Sequence, residues 1–138
     1  MSAVEARDAA LAILYTADLR ETAPTDDIER ARVRSMVEGV LGDVAAIDST
    51  IESASRGWRV DRMPALDRNI LRLAVWELEN KATPTAVILS EAVRMAKTYS
   101  TERSGAFVNG VLATLADQVR SEAEPSDAGA SVASRTDL

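Results

Sequence analysis

Two residue types are missing from this sequence altogether, cysteine and histidine. Without cysteine there are no disulfides and no thiolate metal sites. Without histidine the chain loses the commonest general base, the usual charge switch near neutral pH and the commonest metal ligand. Asp, Glu, Lys and Ser remain, so catalysis is disfavoured rather than excluded. Aromatic residues are scarce, at 4%. Sheets draw on β-branched and aromatic side chains, whereas a chain rich in Ala, Leu, Val and Arg favours helices. No apolar run approaches the length of a membrane span. The N-terminus lacks the charged, apolar, small-residue layout of an export signal, and the expected location is cytoplasmic. Neither a Walker-type phosphate loop nor a GxGxxG motif occurs. Glu and Asp alternate with Arg, as on solvated faces whose local ion pairs contribute little. The expectation is a non-enzymatic protein with no catalytic residues, no metal site and no cofactor.

What is present suits one folded domain. The chain has 138 residues, 46% hydrophobic and 28% charged, enough to bury a core without staples. Its net charge is −6. Phosphate contacts supply most nucleic-acid affinity, so an acidic chain is a poor autonomous RNA binder and a good partner for a basic protein.

Hydrophobic periodicity predicts the elements. Residues 4–20 form a first helix, with Ala6, Ala9, Ala10, Ile13, Leu14 and Ala17 on one face. Thr25 or Asp26 can cap the next helix. From Ile28 to Ile51 the series Val33, Val37, Val40, Val44, Ile47, Ile51 steps by four and three, and Gly39 and Gly42-Asp43 predict a kink or two helices. Ser55 to Pro64 is a connector, with Gly57 as a C-cap. Residues 65–80 are apolar over much of the circumference, which predicts a central helix. Thr83 can cap a helix from Pro84 to about Tyr99. Residues 100–104 break the pattern, and a last helix runs over about 104–122. The expected layout is a domain over 1–124 and a disordered tail over 125–138, small, polar and aperiodic.

Several segments together resemble the bacterial NusB family. They are Arg7-Asp-Ala-Ala-Leu-Ala-Ile-Leu-Tyr15, the Arg56-Gly-Trp connector with Pro64, Asp67-Arg68-x-Ile70-Leu71-Arg72 followed by Glu77-Leu78, Ser90-Glu91-Ala92-Val93 with Ala96-Lys97, and Phe107-Val-Asn-Gly-Val-Leu112. The order and spacing match over about residues 6–120.

The resemblance implies an all-α fold, a compact bundle of about six to seven helices in two small helical subdomains. It also implies transcription antitermination, chiefly of ribosomal RNA operons. In the family, NusB pairs with NusE, a small-subunit ribosomal protein, and the pair binds boxA RNA and joins an antitermination complex on RNA polymerase. Carried over by position, Tyr15 and Glu77 match residues at the NusE contact, with Trp76 where the family usually has an aromatic. On the RNA side the family's first helix begins with an arginine-rich run. The matching stretch here is Ala3-Val4-Glu5-Ala6-Arg7, which keeps Arg7 alone and adds a repelling Glu5. The loss of about three phosphate contacts would cut RNA affinity sharply. The next basic candidates are Lys97 and Arg103, with Arg94 beside them, around the turn before Phe107. Two alternatives stay open. One is a scaffold of the same fold that binds only protein, a homodimer included. The other is a detached relative of the N-terminal RNA-binding domain of rRNA cytosine methyltransferases.

Overall fold

The computed structural model describes residues 1–24 and 30–123, with side chains through residue 120. The expected caps Thr25 and Asp26, and the tail expected over 125–138, lie outside the described residues. Among those described there are six α-helices, one 3-10 turn and no strand. None of the helices is long and apolar enough to cross a membrane.

Helix α1 spans Ala3–Arg20. Ser2 and Glu5 form a reciprocal cap: the Glu5 N–H donates to Ser2 Oγ and the Ser2 N–H to Glu5 Oε1, satisfying two of the free amides of the first turn. The helix stops where Glu21 adopts φ 55°. Its N–H then meets the Asp18 carbonyl and the Thr22 N–H the Ala17 carbonyl, a left-handed stop that closes the last turn. Helices α2 (Ala31–Gly42) and α3 (Val44–Ala54) share the four-three seam of valines and isoleucines. The break falls at Asp43, so this region is two helices and not one kinked helix. Gly39 is not part of that break.

The connector holds the 3-10 turn Val60–Arg62, pinned where the Val60 N–H donates to Glu52 Oε2 at 2.8 Å. Helix α4 spans Ala65–Asn80, α5 Thr85–Tyr99 and α6 Glu102–Ala123. Two boundaries differ from the sequence expectation. Thr83 caps nothing; Pro84 occupies the cap position of α5 without a side-chain bond. Helix α6 starts two residues earlier than periodicity suggests, because Thr101 Oγ1 accepts the Ser104 N–H at 3.0 Å. A hydroxyl cap extends a helix into a polar stretch that carries no hydrophobic signal.

Helix α4 packs against all five other α-helices. Its Ile70, Leu71 and Val75 are fully buried, among Leu14, Val40, Ile51, Met95, Leu112 and Leu115. Around it α1 packs with α2, and α5 and α3 pack with α6. Two small groups of helices thus share one central rod. Arg120, near the end of α6, donates to the carbonyls of Leu78 and Lys81 at 2.9 and 3.0 Å. It thereby satisfies acceptors that the end of α4 leaves open.

Candidate functional site

Helix α1 carries two of the expected site residues, Arg7 and Tyr15. The inner stripe of α1 runs through residues 6, 7, 10, 11, 14 and 17, so Arg7 is on the core side and only 4% exposed. A charge there persists only if paired. Its Nε and Nη2 donate to Oε1 and Oε2 of Glu77, at 3.0 and 2.5 Å. Glu77 is likewise buried. This is the two-pronged geometry in which a planar guanidinium matches a carboxylate. The hydrogen bond to Glu77 holds the Arg7 guanidinium above its ordinary pKa, against the effect of burial.

The pair belongs to a longer chain of alternating charge. Glu91 of α5 stands 3.6 Å from Arg7 Nη1. Arg94 donates to Glu91 and, at 2.8 Å, to Asp8 Oδ1. Burial works against the charge on Arg94, but hydrogen bonds to Asp8 and Glu91 more than offset it and raise its pKa. A second network fastens the other end of α1. Arg68 donates to both oxygens of Asp18 at 2.7 and 2.8 Å, Asn69 adds a third bond and Arg72 bridges Asp18 to Asp48 of α3. The Arg68 hydrogen bond keeps the Asp18 carboxyl below its usual pKa. Helix α1 is therefore clamped to α4 at both ends.

Arg7, expected to reach RNA, and Glu77, expected to reach NusE, thus bond to each other. Arginine is almost never fully buried unless paired, and no sequence pattern announced this pair. Tyr15 is half-buried beside the inner stripe. Trp76 is 7% exposed. Its indole lies against Gly39 of α2, and Lys81 Nζ sits 5.4 Å from the ring centroid, within cation–π range. Trp76 and Glu77 line a depression of about 130 Å³ with Arg32, Met36 and Lys81 among its other walls. Tyr15 is not among its lining residues.

Lys97 and Arg103 stand on either side of the α5–α6 turn, both exposed. Lys97 Nζ is 3.8 Å from Glu102, and its stem runs over Gly105, where a Cβ would come within 2.8 Å. Arg103 has no acid partner among the described residues. Beneath the turn, Ser104 Oγ donates to Asp67 Oδ2 at 3.2 Å. Asp67 is buried, and burial pushes its carboxyl pKa up while the Ser104 bond opposes this. Among the described residues no group of His, Cys, Asp or Glu is arranged to hold a metal ion.

One exposed residue was not among the expected site residues. Trp58 of the connector is 55% exposed and meets Phe107 edge to face, with ring centroids 6.2 Å apart. The Arg56-Gly-Trp run is visible in the sequence, but the outward direction of the indole is a property of the turn.

Comparison with known proteins gives this arrangement a family. The NusB family model matches residues 2–117. The chain is 48% identical to the transcription antitermination protein NusB of Sorangium cellulosum, over 85% of this chain and 84% of that one. The solved NusB of T. maritima superposes with a TM-score of 0.78 at 29% identity, covering 88% of this chain and 96% of that chain. A crystal structure of the antitermination factors NusB and NusE in complex with dsRNA matches at 0.73 and 30% identity, over 83% of this chain and 96% of its counterpart. With the helical order, the central α4 and the match over most of its length, the chain belongs to the NusB family.

Proposed function

We propose that this chain is a cytoplasmic, non-enzymatic adaptor of transcription antitermination. It pairs with NusE and, as that pair, binds boxA RNA in rRNA operon transcripts within a complex on RNA polymerase. The observation that carries this reading is the fit, over most of both chains, to a protein solved together with NusE and dsRNA.

The partner face comprises Tyr15 and the depression edged by Trp76 and Glu77. Glu77 contributes chiefly by fixing α1, and with it Tyr15, against α4. On the RNA side Lys97 and Arg103 supply exposed cations, and Arg7 acts indirectly as the other half of the Glu77 pair. One observation favours a protein-only scaffold, a homodimer included, as the second reading: Arg7 in the first turns of α1 is turned inward.

Fluorescence anisotropy with labelled boxA RNA separates the two. The net charge of −6 predicts weak binding by the chain alone. Adding NusE should tighten it and make it steeply salt-dependent, as counterion release requires. If NusE brings no gain, the RNA half of the reading is lost and the scaffold remains.

A further inference from the structure

We propose that the groove between the connector and α6, walled by Trp58, is a stacking site for an unpaired base of single-stranded RNA. This rests on the RNA reading above and adds a site to it. The groove encloses about 400 Å³, and its lining includes Arg56, Trp58, Ala106, Phe107, Gly110 and Thr114. No acidic residue lines it, in a chain of net charge −6.

The connector is built to hold the indole outward. The Trp58 N–H donates to the Ser55 carbonyl at 3.2 Å, and Ser55 Oγ donates back to the Trp58 carbonyl at 2.6 Å. Between them Arg56 and Gly57 both take positive φ, 54° and 91°. A side-chain-bearing residue is strained there, so the turn tolerates strain while leaving its largest apolar side chain in water. Phe107 packs against Trp58 at an interplanar angle of 65°, and Trp58 stays 55% exposed beside it. Arg56 lines the groove, and Arg103 precedes Phe107 by one turn on the stripe that continues to Gly110 and Thr114. Neither arginine has an acid partner among the described residues. The neighbouring Arg59 is already paired with Asp61.

A flat aromatic face with one unpaired guanidinium in the groove wall and a second, that of Arg103, one helical turn before Phe107 fits a ligand that is flat, apolar and anionic along its edge. A nucleobase on its phosphate backbone has that form: stacking needs only the base's π-face, and the phosphates meet the arginines. An apolar protein side chain would fill the groove without using either charge. Small residues at 106 and 110 keep the floor low, and a Cβ added at Gly110 meets nothing within 4 Å.

The two tryptophans make the test direct, because Trp76 is 7% exposed and Trp58 55%. Titrating the full chain at low salt with a short single-stranded RNA should quench tryptophan fluorescence, and Trp58→Phe should abolish the quench. In the chain paired with NusE, Trp58→Ala should weaken binding of the labelled strand about ten-fold, equivalent to about 1.4 kcal/mol. Trp58→Phe should retain most of the affinity. Circular dichroism confirms that each variant stays folded. Wild-type binding with an unchanged Trp58→Ala affinity overturns the stacking site and leaves the RNA reading intact. Loss of NusE capture by Trp58→Ala, with RNA affinity unchanged, makes the groove a protein site and likewise overturns it. Absence of RNA binding by the wild type, with and without NusE, removes the RNA reading and the site together.

Discussion

At the scale of single residues, Arg7 and Glu77 set the terms. Two charged side chains, each 4% exposed, have given up hydration, and their mutual attraction offsets that loss only while both are present. Glu77→Ala leaves a buried guanidinium with Glu91 alone in reach and should destabilise the fold by about 3–5 kcal/mol. Replacing both partners, Arg7→Met with Glu77→Leu, should recover most of the loss, since the joint is then apolar. Urea unfolding of the two single variants and the double variant checks this. A double variant as unstable as the sum of the singles would show that the pair is not coupled. The same geometry bears on the proposed NusE contact. Glu77→Lys would set like charges together in a buried site and loosen α1 before any interface is tested, so a substitution at half-buried Tyr15 is the cleaner probe.

At the scale of elements, glycine separates two roles that look alike in the sequence. A Cβ on Gly39 would lie 2.2 Å from Trp76 Nε1, whereas one on Gly42 meets nothing within 4 Å. Glycine inside a helix costs about 1 kcal/mol against alanine, so open positions gain from Gly→Ala. Gly39 is the exception because α2 and α4 approach through the indole. Gly39→Ala should therefore destabilise by about 1–3 kcal/mol, as overpacking does, while Gly42→Ala should be neutral or stabilising. Thermal melts of the two variants decide it, and equal shifts would refute the close contact. The expected mid-helix irregularity at both glycines thus divides into a packing site at 39 and a break at 42–43.

At the scale of the whole molecule, the Asp18 network matters most because it joins α1, α3 and α4. The Asp18 carboxyl is held below the ordinary value of 3.8, first by the Arg68 hydrogen bond. A lowered folded-state pKa gives stabilisation that is complete above the unfolded value and lost as pH falls through the folded one. Asp67 has the opposite sign. Burial raises its pKa, so its contribution is complete below 3.8 and is lost as pH rises through the raised value. Asp18→Asn should destabilise by about 1.5–3 kcal/mol near neutrality, the range for hydrogen bonds to charged groups. The gap from wild type should close as pH drops below the ordinary carboxylate range. Denaturant unfolding at neutral and acidic pH measures it, and a gap that persists in acid contradicts the assigned role of Asp18.

The sequence by itself determined the helices and their order. Spacings of three and four among apolar residues are local and survive without knowledge of neighbours, so α1, α4, α5 and the paired α2–α3 seam were legible within a few residues. It also determined the family, because the runs ending at Tyr15, Leu78, Lys97 and Leu112 are matched in order. The start of α6 was obscured because its cap is a hydroxyl, which carries no periodic signal. What only the tertiary structure decided is which polar side chains face in and which aromatic faces out. Arg7 and Glu77 are 70 residues apart, and whether a charge is solvated or paired depends on what the fold brings opposite it. The outward face of Trp58 follows from two left-handed residues and one serine. Local propensity fixes a helix, but burial is a property of the assembled core.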